Sequence, residues 1–443
     1  MAYKKSIFTY IYRNGDEYIF FNSSNLSLLI ADKNSFDLYN SLSLSNINDI
    51  PEDINVELWK SLLHHEFILD IDTNEIGKEK LRRKARRECA KKMRKNTIGF
   101  IRISLTENCN LKCKYCFVNE IYDSKSEIMQ HDLVRLLNWF LEIPDNRNPL
   151  VQYFGGEPLM KFDEIKACHK ILCEYKSNGK IDSFNEEIVT NGTLVTKEIA
   201  EYFVENGFQI NFSIDGWKEI NDINRVDFDG NGSYDKLIEG MRNYKNAGGE
   251  LSAIVTPTNE NMPIFDKIVR FLVEDLGCTE ISVNTPQPVD DGWHVDGEKF
   301  SEAMKICWQY CIDNSIILNH PGTNIVFLIN NKIPQTNSCM NLTYGQEVNT
   351  WGIYVTSDML VSKCVVECDE RCTINFENFA MNDDFIDWHF DDTANESCFK
   401  CPGLNICGGG CSTEKMLSGG KNNKEKCKYY KSMIPWVIKN HAK

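Results

Sequence analysis

The run Leu105-Thr-Glu-Asn-Cys109-Asn-Leu-Lys-Cys113-Lys-Tyr-Cys116-Phe117 decides how this 443-residue chain is read. Its three cysteines are spaced C-x3-C-x2-C. A structural zinc site wants four protein ligands, usually paired in C-x2-C knuckles. No fourth ligand follows here: the first histidine after the run is His131 and the next cysteine is Cys168. Three thiolates can instead hold three irons of a 4Fe–4S cluster, leaving the fourth iron open to bind and reduce another molecule.

The triad follows a strand signal, Ile98–Leu105. Five more strands are expected at Leu150–Phe154, Glu187–Thr190, Gln209–Ile214, Leu251–Thr256 and Glu280–Asn284. Helical stretches fall between them at Asp132–Leu141, Phe162–Tyr175, Thr196–Asn206, Tyr234–Ala247 and Met262–Leu276. This α/β alternation means parallel strands joined by crossover helices. Barrels built this way carry their chemistry at the carboxyl ends of the strands. Gly155-Gly156-Glu157-Pro158 ends the second strand. Glycines there let a ligand approach the backbone, and a carboxylate can accept hydrogen bonds from a ligand ammonium. Thr190-Asn191-Gly192-Thr193 ends the third strand and Ser213-Ile-Asp215-Gly216 the fourth. Arg225 follows in Asn221-Asp-Ile-Asn-Arg, with a guanidinium able to fork onto a carboxylate. Val255 closes the fifth strand.

With these elements in place, residues 97–286 resemble the radical S-adenosylmethionine (SAM) enzymes, whose fold is a partial (β/α)6 barrel. The resemblance implies that Cys109, Cys113 and Cys116 hold the cluster and that SAM fixes the open iron. Reductive cleavage of SAM, fed by a donor such as flavodoxin or ferredoxin, then yields a 5′-deoxyadenosyl radical that removes hydrogen from substrate. It further implies a cofactor site of Phe117, Gly155, Gly156, Glu157, Pro158, Asn191, Ser213, Arg225 and Val255. The Gly-Gly-Glu-Pro element would receive the amino group of SAM, and Arg225 its carboxylate. Ser213 would touch the ribose or methionine, and Val255 the adenine.

A second array reads Cys398-x2-Cys401-x5-Cys407-x3-Cys411, then Cys427. It resembles the SPASM domain, which carries two auxiliary 4Fe–4S clusters, for three in all. The resemblance implies one cluster on Cys398, Cys401, Cys407 and Cys427, and another on Cys411, Cys339 and Cys364. The chain departs from the pattern at Met359, where a turn glycine is expected five residues before Cys364. Two readings stay open at that cluster: Cys368 or Cys372 is the fourth ligand, or an open iron binds a substrate thiolate. Residues 331–443 form this Cys-rich domain, poor in long periodic segments and held by metal. Residues 287–330 form a bridging helical region, in which Cys307 and Cys311 read as packed thiols on one face of a helix.

Residues 1–76 read as a small α/β module. Strands at Ser6–Tyr12 and Glu17–Asn22 flank Asn14-Gly-Asp, a hairpin signal. A third strand at Ser27–Ala31, helices at Ser35–Leu42 and Asn55–His65, and a closing strand at Phe67–Asp72 follow. The order loosely resembles the leader-recognition module of ribosomal-peptide maturation enzymes; the alternative is a cap that only packs on the barrel. Residues 77–96 carry eleven Lys/Arg against Glu79 and Glu88. This basic linker helix is either a solvated connector or a dock for an acidic peptide.

Composition bounds the rest. A net charge of −15 argues against general nucleic-acid binding. No apolar run is long enough for a membrane span, and no signal peptide is visible. Eighteen cysteines without a secretory signal read as metal ligands in a reducing cytoplasm. The expected function is therefore a radical SAM oxidoreductase that matures a ribosomally made precursor peptide bearing a leader. It would form a thioether or carbon–carbon crosslink, with the auxiliary clusters accepting the released electron. The alternative is an anaerobic sulfatase-maturating, formylglycine-forming enzyme. In that family, as the resemblance implies, an Asp follows the cysteine matching Cys364; this chain has Val365, with Asp369 further on.

Overall fold

The computed structural model describes residues 3–42, 55–93, 98–118, 126–144, 146–284, 295–339, 351–365, 373–376, 387 and 391–442. The chain opens with β1 (Tyr3–Lys5), β2 (Thr9–Asn14), β3 (Glu17–Asn22) and β4 (Leu28–Ala31). α1 (Lys33–Ser41), α2 (Val56–His64) and β5 (Ile68–Asp70) follow. β2, β3 and β4 form an antiparallel sheet, with Asn14 opposite Glu17 across the expected turn. The closing strand β5 does not join it. It pairs with β1, a three-residue Lys-containing strand too short to announce itself.

Side chains alternate between faces along a strand, and in β3 this ties the module to the rest of the molecule. Phe20 enters a local core with Tyr39, Trp59, Leu62 and Phe67. Its neighbours Ile19 and Phe21 point the other way, into the main core.

α3 (Glu75–Met93) is the basic helix. It is not simply solvated. Arg83 is fully buried, and the helix pairs with acids of its own chain: Arg83 with Asp392, Arg87 with Asp391 and Lys91 with Asp387. An acidic segment does dock on this helix, but it is internal.

The barrel follows: β6 (Ile98–Thr106), α4 (Gln130–Leu141), β7 (Leu150–Gly155), α5 (Phe162–Ser177), β8 (Asn185–Thr190), α6 (Lys197–Glu205), β9 (Gln209–Ser213), α7 (Lys218–Asn224), α8 (Tyr234–Asn246), β10 (Leu251–Val255), α9 (Phe265–Phe271) and β11 (Cys278–Val283). These six strands are parallel neighbours in chain order. The sheet extends further at both edges. α10 (Gly297–Asp313) leads to β12 (Ile317–Asn319) beside β11. α11 (Thr323–Asn330) precedes β13 (Trp351–Val355), which runs parallel to β6, followed by antiparallel β14 (Leu360–Ser362) and β15 (Thr373–Asn375). Strand pairing thus fastens the start of the Cys-rich region.

One face of the sheet is apolar. Ile101, Val151, Ile188, Ile210 and Ala253 are buried against the helices. The other carries a hydrogen-bonded polar belt. Arg102 donates to Gln152 (2.5 Å), Gln152 to Glu187 (2.7 Å), and Gln209 and Asn319 to Glu280 (3.1 and 2.7 Å).

α12 (Ser412–Leu417) and α13 (Lys424–Asn440) close the chain. α13 packs on α10 through a stripe that includes Tyr429, Met433 and Val437, with Pro435 inside the helix. That long helix was not expected in a segment read as non-periodic. Among the described residues, no helix is long and apolar enough to cross a membrane.

Candidate active site

The cysteine run leaves β6 and folds over the carboxyl ends of the parallel strands, where it is held from beneath. Glu107 is almost fully buried. Its carboxylate accepts from Ser126 N (3.0 Å) and Oγ (2.7 Å), and from Ser357 Oγ in the turn after β13.

The Gly-Gly turn comes next. Gly156 N donates to Thr106 O (2.7 Å) and Glu157 N to Asn108 O (2.9 Å). A Cβ on Gly155 would lie 2.2 Å from Thr106 O, and one on Gly156 2.2 Å from Asn108 O. The two glycines therefore admit the backbone of the cysteine loop itself. Their own backbone stays half-buried, the one part of the turn open to a ligand.

Glu157 turns its carboxylate inward. Its side chain is fully buried, and its oxygens accept from Leu159 N (3.0 Å), Thr190 Oγ1 (2.7 Å) and Asn191 N (2.8 Å). Burial pushes its pKa up to about 7, against those three bonds. The carboxylate locks the ends of β7 and β8 together. Pro158 is also buried, at the start of a short 3-10 turn.

Asn191 reaches the cysteine loop. Its Nδ2 donates to Asn110 Oδ1 (2.8 Å) and lies 3.8 Å from Cys109 Sγ. Thr193 holds it from behind: Thr193 N donates to Asn191 Oδ1 (3.0 Å), and Asn110 Nδ2 donates to Thr193 Oγ1 (2.8 Å).

The segment around Cys113 rests on the residues after α7. Lys112 N donates to Val226 O (2.7 Å) and Lys114 N to Asn224 O (2.9 Å). Arg225 sits here, mostly buried, but its fork already has a partner. Nη2 donates to Asp215 Oδ1 (3.2 Å), and Nε lies 3.0 Å from Asp215 Oδ2 as an ion pair outside hydrogen-bond geometry. Tyr115 OH donates to the same carboxylate (2.6 Å), and its ring lies 5.5 Å from the guanidinium. Asp215 thus pairs with the guanidinium that was expected to meet a SAM carboxylate. The motif Ser213-Ile-Asp215-Gly216 pointed to this place, yet only Ser213 drew a role from it.

Ser213 and Val255 separate in the structure. Ser213 is half-buried at the end of β9, and its partner across β10 is Ile254. Ile254 shares the face of Ser213 and keeps 9 % exposure, whereas Val255 is fully buried in the core. Val255, where an adenine contact was expected, points into the core, and its neighbour Ile254 lies on the opposite face of the strand.

Phe117 stacks on Phe154 (6.3 Å between centroids) and packs with Tyr354, Val365 and Cys364. Cys364 thereby lies on the same small apolar cluster as the end of the Cys109–Cys116 run. Met359, standing where the turn glycine was expected, has φ = +64°. The glycine-like backbone turn is retained by a residue that adopts it at a cost. Next to Cys364, buried Lys363 donates to Ser412 Oγ, beside Cys411.

The C-terminal cysteines converge. A cavity of about 120 Å³ is lined by Cys398, Cys401, Cys407, Cys411 and Cys427. After burial, the neighbouring Cys401, Cys427 and Cys398 raise the Cys407 thiol further. Burial pushes the thiol of Cys407 up to about 12 and that of Cys411 to about 11; in the barrel it pushes Cys109 to about 12 and Cys113 to about 11. Thiols so placed ionise when a metal takes the proton's place. Cys368 and Cys372 lie outside the described residues.

Comparison with known proteins follows the geometry. A family model described as the Radical SAM superfamily matches residues 103–272. The radical SAM cyclopropyl synthase TigE of Paramaledivibacter caminithermalis is 26% identical over 298 residues, 64% of this chain and 60% of that protein. A cysteine-type anaerobic sulfatase-maturating enzyme of Clostridium perfringens is 24% identical over 336 residues, 69% of this chain and 86% of that one. An uncharacterized protein of Methanothermobacter thermautotrophicus is 32% identical over 204 residues, 44% of this chain and 73% of its own length.

Among solved structures, Streptococcus suis SuiB bound to the precursor peptide SuiA has a TM-score of 0.53 at 15% identity, covering 92% of this chain and 95% of SuiB. The anSMEcpe protein with bound AdoMet and Kp18Cys peptide has a TM-score of 0.64 at 17% identity, covering 76% and 97%. These two show the shared fold. This chain belongs to the radical SAM superfamily.

Proposed function

We propose that this enzyme is a peptide maturase, introducing a thioether or carbon–carbon crosslink into a ribosomally made precursor peptide. The gathering of Cys398, Cys401, Cys407, Cys411 and Cys427 around one cavity carries this reading. Soft sulfur donors so gathered suit iron–sulfur chemistry, and the two auxiliary clusters that the resemblance implies suit a reaction that must discard an electron. The triad fits a cluster with one open iron: it is three half-buried cysteines beside a half-exposed Gly155–Gly156 backbone. SAM bound there would supply a 5′-deoxyadenosyl radical for hydrogen abstraction.

The chain's own residues do the rest. Glu107, Glu157 and Asn191 fix the cysteine loop. Asp215 keeps the Arg225 guanidinium charged and oriented next to Cys113. Ser213 and Ile254 present the face on which a nucleoside would lie. The polar belt from Arg102 to Asn319 offers amide and carboxylate partners to a peptide backbone.

A leader has a place to bind. β4 is an edge strand of the N-terminal sheet; among the described residues no strand pairs with its outer side, and Ile30 on it is 59 % exposed. An extended peptide can add to such an edge. The likeness to peptide-bound SuiB over 92% of this chain supports a peptide substrate. A flavodoxin or ferredoxin would supply the electron.

The sulfatase-maturating alternative has sequence relatives in its favour. Against it stands Val365, where that reaction is expected to need an acid: it is 4 % exposed and packed with Tyr354, Phe117 and Phe154. Anaerobic co-expression with a candidate precursor separates the two. A crosslinked peptide lacking two hydrogens supports the maturase, and formylglycine in a sulfatase peptide supports the alternative.

A further inference from the structure

We infer that Arg83, on the basic helix, is the positioning residue that seats the loop carrying Cys407 for its auxiliary cluster. The inference rests on the proposed role of the C-terminal cysteines as cluster ligands.

Arg83 is fully buried and its guanidinium is saturated. Nε donates to Asp392 Oδ2 (2.9 Å). Nη1 donates to Asn405 Oδ1 (2.6 Å), Gln335 O (3.1 Å) and Leu404 O (3.2 Å). Nη2 donates to Asp392 Oδ1 (2.7 Å), Gly408 O (2.7 Å) and Thr336 O (3.0 Å). Two of these carbonyls, on Leu404 and Gly408, bracket Cys407. The other two lie on the segment that leads to Cys339. Four carbonyl oxygens converging on one point need a cation with several donors fixed in a plane, which arginine supplies and lysine does not.

The loop is built around this gathering. Gly408 and Gly409 have φ of +66° and +105°, and a Cβ on either would lie 2.3 Å from backbone nitrogen of Asn337 or Ala394. From the same loop Asn405, itself fully buried, reaches back into the N-terminal module. Its Nδ2 donates to Ser24 O (2.8 Å), Ser23 O (3.1 Å) and Glu79 Oε1 (2.8 Å). Arg83 and Asn405 thus key the module, the basic helix and the cysteine loop into one another. The N-terminal module is thereby coupled to the metal-binding end of the chain.

Full-length protein, reconstituted anaerobically, tests this by iron count and by the electron paramagnetic resonance signal recorded with and without SAM. Wild type should hold about twelve irons per chain, for three four-iron clusters. Arg83→Lys keeps the charge but not the fork. It should lose about four irons per chain and keep the SAM-perturbed signal of the triad's cluster. Asn405→Ala should fall in the same direction, and Lys84→Ala, exposed on the same helix, should keep the full count. Arg83→Lys and Asn405→Ala with wild-type iron and spectra would overturn the inference. So would parallel loss of every cluster signal, as general unfolding gives. Wild type holding iron for the triad alone would instead overturn the auxiliary-cluster reading beneath it.

Discussion

Ile254 and Val255 are adjacent in sequence and lie on opposite faces of β10. Val255→Ala should cost about 2 kcal/mol of stability, for two buried methyl groups lost from the core, read from a denaturant midpoint. Ile254→Ala, at a side chain only 9 % exposed, should cost stability as well, but it alone should raise the KM for SAM several-fold. The reverse pattern would return the nucleoside face to Val255. Asp215→Asn should cost more, about 3–5 kcal/mol, because it leaves the buried Arg225 without its counter-charge. The same midpoint measures it. The cysteines, the glycines and Arg225 were all legible in the sequence because their chemistry is local. What Glu157 and Arg225 touch was not. Their partners, Thr190 and Asn191 for one and Asp215 and Tyr115 for the other, are brought near only by the fold.

At the scale of elements, strand and helix periodicity served well wherever one face is buried. All six parallel strands and four of the five crossover helices lie within two residues of expectation, while α9 (Phe265–Phe271) is the α-helical middle of the expected Met262–Leu276, with a 3-10 turn before it and a π turn after it. Three kinds of element escaped. α7 is seven residues long, too short for a period, yet it delivers Arg225. β12 to β15 are three to five residues each, and they are strands because a sheet edge was there to receive them. α13 hides behind Pro435 and its flanking cysteine, although Tyr429, Met433 and Val437 mark a helical stripe.

The basic helix was legible as a helix but not as a clasp. Part of that clasp is pH-sensitive. Glu66 meets Arg82 (2.6 Å) and Lys78 (2.7 Å). Burial pushes its pKa up, but the two cations outweigh it and hold the carboxyl at about 2, below the ordinary 4.5. A depressed carboxylate stabilises fully above its unfolded value and loses that contribution as pH falls toward the folded one. The melting-temperature advantage of wild type over Glu66→Gln should therefore be constant above about pH 5.5 and shrink from about pH 4.5 downward. An advantage that grew on acidification would contradict the pairing.

Taken whole, the molecule joins a parallel barrel to an N-terminal sheet module and a Cys-rich end. Each joint is made by few, buried groups. Ser357 reaches Glu107 under the first cysteine run, Lys363 reaches Ser412 beside Cys411, and Arg83 and Asn405 cross between the N-terminal module and the cysteine loop. These couplings were invisible in the sequence, since they link residues up to 382 positions apart. Buried hydrogen bonds thus link the proposed electron-accepting end of the chain to the proposed radical site.

The central claim, that the C-terminal cysteines serve crosslink formation and not SAM cleavage, is open to one direct measurement. Cys398→Ala and Cys427→Ala, reduced anaerobically with SAM and a co-expressed precursor peptide, are compared with wild type for 5′-deoxyadenosine and, by mass spectrometry, for peptide that has lost two hydrogens. The account predicts retained 5′-deoxyadenosine with no crosslinked peptide in either variant. Full crosslinking by both variants would contradict it.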